Sequence, residues 1–257
     1  MNAVVKELIT YPVKGLSGQQ LETVKLEESR GFPLDRAFAF ARYDSGMDPA
    51  NPRPMPKSRF LVLARDAALA RLNTRLDTTT KQLFIQDGGE NLVFDCATDE
   101  GMAEAAHFLS TVVGLEADKT PNFIDGGDLR FTDVCMTSPQ YMHAISIINL
   151  ASVRALSEAI GRDVDPHRFR GNLLIDGWEA FSELEALDRE VEVNGVKLRI
   201  LQRTRRCPAT QVNLQTAERD LDVPALIEEH FGHRDMGVYA EVLTGGDIKV
   251  GDAVGSL

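Results

Sequence analysis

The 257-residue sequence predicts an α+β fold, mainly β with a few helices, laid out as two halves of similar texture. Three observations carry this reading. Short β-branched or alternating apolar runs, bounded by Gly, Pro, Asn and Asp, recur through both halves. Stretches with helical periodicity are few. Asn194-Gly195, the pair that most readily supplies the left-handed residues of a tight hairpin, separates two alternating arms.

In the first half, strands are expected over 4–11, 21–26, 37–41, 60–63, 82–86 and 91–94. Four prolines and a glycine within 44–56 predict a long loop. Met102, Ala105, Ala106, Leu109, Val112 and Val113 share a helical face, with Asp99 and Glu100 ahead of them and Gly114 behind, so one helix closes this half. The polar segment 116–139, with Gly126-Gly127-Asp128, is read as the boundary between a domain over 1–120 and another over 121–257.

In the second half, a buried strand over 144–148 leads to Asn149, whose side chain can cap a helix through Ile160 that Gly161 stops. The hairpin arms are 190–193 and 196–201, and Val191, Val193, Val196, Leu198 and Ile200 alternate with polar residues. Pro224 suits the start of a helix over 222–231, and strands over 239–243 and 248–250 close the chain.

Composition excludes more than it assigns. With 43% hydrophobic residues the chain can bury a full core, and a formal charge of −11 argues against a general nucleic-acid binder. Any anion site must therefore be a local basic patch. Three cysteines, Cys96, Cys135 and Cys207, lack metal-type spacing and are an odd number, which fits a reducing cytoplasm better than a disulfide framework. The first residues lack the basic and apolar regions of a signal peptide, and no run is long enough to span a bilayer, so no membrane association is expected.

Candidate chemistry concentrates in three clusters. Cys207 follows Arg203, Arg205 and Arg206 at the end of the second hairpin arm, where Pro208 should end the strand and leave the sulfur at a sheet rim. Positive charge favours a thiolate, so Cys207 is a candidate nucleophile or soft-metal ligand, against the alternative of an inert packed thiol. If 168–175 is a strand, Arg168, Arg170 and Asn172 share one face and form a phosphate or carboxylate clamp, or else a charged strand edge facing solvent. Lys14-Gly15 after the first strand and Asp35-Arg36 before the third are weak alone, where Lys14 and Arg36 read as surface charge. Cys96 and Cys135 read as structural thiols, and the histidines form no ligand pair at helical spacing.

Taken in order, these clusters resemble the MOSC proteins, named for the molybdenum-cofactor sulfurase C-terminal domain, with their N-terminal β-barrel partner. The likeness rests on Tyr11-Pro12-Val13-Lys14-Gly15, Asp35-Arg36-Ala37-Phe38 and Ala64-Arg65 in the first half. In the second it rests on Arg168-Phe169-Arg170-Gly171-Asn172, Phe181-Ser182-Glu183, Arg206-Cys207-Pro208-Ala209-Thr210, Gly237-Val238-Tyr239 and Ile248-Lys249-Val250-Gly251-Asp252. Gly15 stands where relatives often have serine, Gly171 where proline is common, and Asn213-Leu214-Gln215-Thr216 replaces a common Asp-Pro-x-Thr-Gly turn.

The resemblance implies two β-barrel-like domains with a molybdenum cofactor (Mo-molybdopterin) between them. It implies that Cys207 ligates the metal, and that Lys14, Gly15, Arg36, Arg168, Arg170, Asn172, Arg206 and Thr210 surround the pterin and its phosphate. The layout is similar to that of the mitochondrial amidoxime-reducing component and its bacterial relatives, which implies reduction of N-hydroxylated small molecules, or of S-oxides, by oxygen-atom transfer to molybdenum. With no spare cysteines for an iron–sulfur cluster, electrons are expected from a separate ferredoxin-, flavoprotein- or cytochrome-type protein. The motifs fit equally a non-catalytic carrier of the cofactor, or of sulfur as a Cys207 persulfide. A scaffold that has lost the cofactor is a third reading.

Overall fold

In the computed structural model, which describes residues 3–257, the chain forms mostly sheet with four α-helices. The first half contains β1 (Ala3–Thr10), β2 (Gln19–Leu21), β3 (Thr23–Leu26), β4 (Phe38–Ala41), β5 (Asn73–Asp77), β6 (Gln82–Asp87) and β7 (Glu90–Asp95), then α1 (Asp99–Val113). Gly114 ends α1 in the left-handed conformation, as the sequence led us to expect, and Thr98, which the sequence reading did not single out, caps it by accepting from the Gly101 N–H. β8 (Asn122–Asp125) lies in the stretch read as a boundary, and the one-turn α2 (Pro139–Met142) starts at its end.

The second half follows the sequence reading closely. β9 (Ile145–Asn149) runs into α3 (Leu150–Ile160), capped by the Asn149 side chain and stopped by Gly161. β10 (Leu173–Asp176), the hairpin of β11 (Glu190–Val193) and β12 (Val196–Arg205), α4 (Val223–Phe231), β13 (Asp235–Thr244), β14 (Gly246–Lys249) and β15 (Ala253–Val254) complete the chain. Pro224 lies in the first turn of α4, where its missing N–H leaves no bond unmade.

The main sheet has the order β10-β9-β13-β12-β11-β15-β1-β2, and β1 also pairs with β10, so the ladder closes on itself. Only the β9–β10 pair is parallel, with α3 in the connection between the two strands. Alternate residues of its strands, among them Val5, Ile147, Ile175, Leu198, Ile200 and Val238, form one buried cluster. Ile9, Ile148, Leu174 and Met236 pack instead with Leu156 of α3 and Ile227 of α4. The first half has its own core, in which β5-β6-β7, the β4–β8 pair and α1 enclose Phe40, Leu61, Leu83, Ile85 and Leu109.

Strand pairing interleaves the two halves. β1 and β3 pair with β10, β15 and β14 of the second, while β8 pairs with β4 of the first. The expected strand over 21–26 divides at Glu22, because its two parts face different partners, β1 and β14. The expected strand over 60–63 does not form. Only Phe60 bridges to Ala41, because Asp66 turns the chain by accepting from the Val62 N–H and from Arg42.

Candidate functional site

The segment 168–172 is not a strand. Asp165 caps a short 3-10 turn, Pro166–Phe169, and Arg170 adopts a left-handed conformation with φ 52° before β10 begins. The expected shared strand face of Arg168, Arg170 and Asn172 is therefore absent, and the three side chains diverge. Arg168 is 5% exposed, neither an open edge nor a free clamp. It pairs with both Asp220 oxygens, at 2.7 and 3.0 Å, and donates to the Thr210 and Gln211 carbonyls. Arg170 lies over the Tyr11 ring at 4.3 Å and donates to the Leu16 carbonyl. Asn172 spends its amide inside the protein. Nδ2 donates to the Ile9 carbonyl and Asp35, while Oδ1 accepts from the Ser146 N–H, so it positions Asp35 and β9 rather than offering a free donor.

Despite this divergence, all nine residues singled out in the sequence line one cavity of about 300 Å³: Lys14, Gly15, Arg36, Arg168, Arg170, Asn172, Arg206, Cys207 and Thr210. Seven Lys and Arg face it against two Asp, in a chain whose formal charge is −11. Lys14 and Arg36 are therefore not surface decoration. The backbone brings them together, since the Lys14 N–H donates to the Phe38 carbonyl and the Arg36 N–H to that of Tyr11. Gly15 has φ +85°, and a Cβ there would lie 2.5 Å from the Leu61 carbonyl oxygen, so the serine common in relatives would be strained at this crossing.

Cys207 stands past the end of β12 and precedes a 3-10 turn, Pro208–Gln211, in keeping with the expected rim position. The Thr210 N–H and hydroxyl both donate to the Cys207 carbonyl, at 3.1 and 3.0 Å, which fixes the turn. Of the three preceding arginines, Arg203 leaves the site to pair with Glu185. Arg206 stays and donates to the Phe169 and Met236 carbonyls, which ties the cysteine turn to the Arg168–Arg170 segment and β13. Burial pushes the Arg206 and Arg170 guanidinium groups down to about 10, so both remain cationic at neutral pH. Burial also pushes the Cys96 thiol up to about 11 and Cys135 upward, as befits packed, unreactive thiols.

The sequence reading missed Lys57 and Asp133. Asp133 bridges Lys14 and Lys57, with Nζ–O distances of 2.8 Å to each. Burial opposes its ionisation, but the two ammonium groups hold its carboxyl well below the usual range. Lys57 is lowered by burial and raised by Asp133 and by the nearby Cys207 sulfur, and the result lies above its ordinary value. Neither residue carried a recognisable signal, since Lys57 follows the proline-rich loop and Asp133 lies in the stretch read as a boundary. Tyr239, from a motif noted in the sequence, also lines the cavity, and burial raises its phenol.

The donor set defines what this cavity can hold. Among the described residues, no three His, Cys, Asp or Glu side chains gather as a metal site. A metal beside Cys207 would have to bring most of its ligands on its own organic group, and the surrounding cations suit an anionic one. Thr204 Oγ1 and Arg168 Nε, from two residues of the cavity lining, are buried polar atoms without a protein partner. One soft donor within a cationic pocket is compatible with a metal–pterin phosphate.

Comparison with known proteins gives two family matches. Residues 2–121 match the MOSC N-terminal beta barrel domain, and residues 124–255 match the MOSC domain. Solved structures similar to the chain include the YuaD protein from Bacillus subtilis, at 13% identity and TM-score 0.47 over 99% of this chain and 94% of that one. YiiM from Geobacillus stearothermophilus is 20% identical with TM-score 0.34, over 43% of this chain and 52% of that one. No curated protein matches. No helix among the described residues is long and apolar enough to cross a membrane.

Proposed function

The chain belongs to the MOSC family, with its N-terminal β-barrel domain and MOSC domain in tandem, and from that premise we propose that it is a molybdenum-cofactor oxidoreductase acting on N-hydroxylated or S-oxidised small molecules. The observation that carries this reading is the convergence of a lone cysteine with seven basic side chains on one cavity built from both halves of the chain. When bound, the cofactor supplies two-electron redox chemistry and its own dithiolene sulfurs.

The protein's part is to hold and orient. Cys207 offers one soft sulfur donor. Its turn is fixed by Thr210 and, through the Thr210 and Gln211 carbonyls, by Arg168. Lys14 and Lys57 each give one N–H to Asp133 and keep the others for a phosphate. Arg36 is anchored by Asp35 at 2.5 Å and by the Arg170 carbonyl, so its guanidinium is positioned before any ligand arrives. The Tyr239 phenol, raised by burial, keeps its proton on Oη at neutral pH and can donate to an oxygen at the cavity wall. No G-x-G-x-x-G fingerprint is present in the sequence, and we assign electron donation to a separate protein.

The test is turnover of an amidoxime, a hydroxylamine or an S-oxide by cofactor-loaded protein with an artificial low-potential donor. NAD(P)H alone should support none, and Cys207→Ala should be inactive. Loaded protein that reduces none of them but passes its cofactor or a persulfide to an apo-enzyme is a carrier instead.

A further inference from the structure

A second cavity, of about 470 Å³, adjoins the first and shares Gly15, Leu63 and Arg170 with it. Its walls carry Leu16, Leu63, Leu69, Leu72 and Leu214 alongside a set of polar side chains. Most of its polar lining is already committed. Ser17 Oγ donates to the Leu72 carbonyl and accepts from the Thr74 N–H, and Gln20 Nε2 donates to Glu7. Both ring nitrogens of His167 are taken, one by Asp165 at 2.7 Å and one by Glu7 at 2.9 Å, so this imidazole faces two carboxylates and adds no free charge.

Among the charged side chains of the lining, Arg170 is the exception. Its Nη1 donates to the Leu16 carbonyl and its plane lies over Tyr11, which fixes its direction. Nε and Nη2 have no acceptor among the described residues, yet neither is sealed from water. The carboxylate of Asp35, which acts on Arg170, is already engaged by Arg36, Asn172 and the Tyr11 N–H. A rigid guanidinium edge therefore stands without a hydrogen-bond acceptor on the wall shared by the two cavities, beside a leucine-bearing chamber of the size that small organic ligands occupy.

We propose that the second cavity binds an organic carboxylate with an apolar body, the leucines enclosing the body and the free edge of Arg170 pairing with the carboxylate. A carboxylate matches two parallel N–H donors, whereas a dianionic phosphate would leave its second charge against leucine walls. The inference concerns the chain without cofactor, in which no ligand of the first cavity engages the free edge of Arg170.

The experiment titrates cofactor-free full-length protein with 2-naphthoate and with its neutral analogue 2-naphthamide, following naphthalene fluorescence. The acid should bind about tenfold or more tighter than the amide, in line with a charge-assisted bidentate contact. Arg170→Gln should bring the acid to the level of the amide. Ala70 and Leu214 line only the second cavity, so Ala70→Trp and, independently, Leu214→Trp should remove naphthoate binding while inorganic phosphate binding in the first cavity persists. Equal affinity for acid and amide, naphthoate binding untouched in folded Trp variants, or no binding up to about 10 mM would each overturn the assignment.

Discussion

Replacing Asp133 by Asn should lower the stability of the cofactor-free protein and raise its affinity for anions, two opposite effects from one carboxylate. Asp133 holds Lys14 and Lys57 together at 2.8 Å each. A hydrogen bond to a charged group contributes about 1.5–3 kcal/mol. Lys14 is 6% exposed, but Asp133 keeps 41% of its side chain accessible and Lys57 37%, so solvent screening brings the second bond below about 1 kcal/mol. Asn can still accept one of the two bonds, which leaves a net loss of about 1–2 kcal/mol, or about 3–6 °C in melting temperature for a chain of this size. The gap between wild type and variant should be constant at neutral pH. Because the folded-state pKa of Asp133 is depressed, its stabilisation is present above the unfolded carboxylate value and is lost as pH falls from about 4 toward the lower folded value. Calorimetric titration with inorganic phosphate should show roughly tenfold tighter binding to the variant, since two ammonium groups lose their internal counter-ion. A variant that melts with wild type and binds phosphate no more tightly refutes the reasoning.

Other outcomes follow from particular contacts. Asp66→Ala removes the partner of Arg42, which it meets through both oxygens at 2.6 Å with both side chains nearly buried; thermal melts should show a loss of about 3–5 kcal/mol, since the guanidinium is left without compensation. His167, raised to about 9 by Asp165 and Glu7, should stabilise the protein below pH 6.5 and lose that effect as pH rises through about 9. At 37% side-chain exposure the screened contribution is about 1–2 kcal/mol, read as the gap between wild type and His167→Gln in denaturant titrations at pH 6 and its closure above pH 9. Cys96→Ala and Cys135→Ala should keep their cofactor content, unlike Cys207→Ala, as measured by metal analysis after purification.

How much of this was legible in the sequence depends on how local each signal is. Asn149 and Gly161 bound α3 where expected, and Asn194-Gly195 makes its hairpin, because caps and tight turns are fixed by residues a few positions apart. β5 was missed because Asn73-Thr74-Arg75-Leu76-Asp77 has one large apolar residue, and its pairing with β6 supplies what its own pattern lacks. The Arg168–Asn172 segment looked like a strand by composition. Asp165 and Pro166 instead start a turn, and the strand begins at Leu173. All of the site residues read from the motifs reached the cavity, but their roles divided. Arg168, Asn172 and Thr210 brace the backbone, while Lys14 and Arg170 keep free donors. That division depends on partners such as Asp220 and Asp133, which lie 52 and 119 residues away in sequence and leave no periodic trace.

The central claim is that the basic cavity beside Cys207 holds a molybdenum–pterin cofactor, and metal and pterin analysis tests it most directly. Protein purified from a cofactor-competent host should contain molybdenum and pterin in equal amounts, approaching one of each per chain. Arg170→Ala should be depleted of both, and X-ray absorption of the wild type should include a thiolate sulfur that Cys207→Ala lacks. Wild-type protein free of molybdenum and pterin, or a Cys207→Ala protein with the same metal content and the same absorption spectrum, would contradict the account.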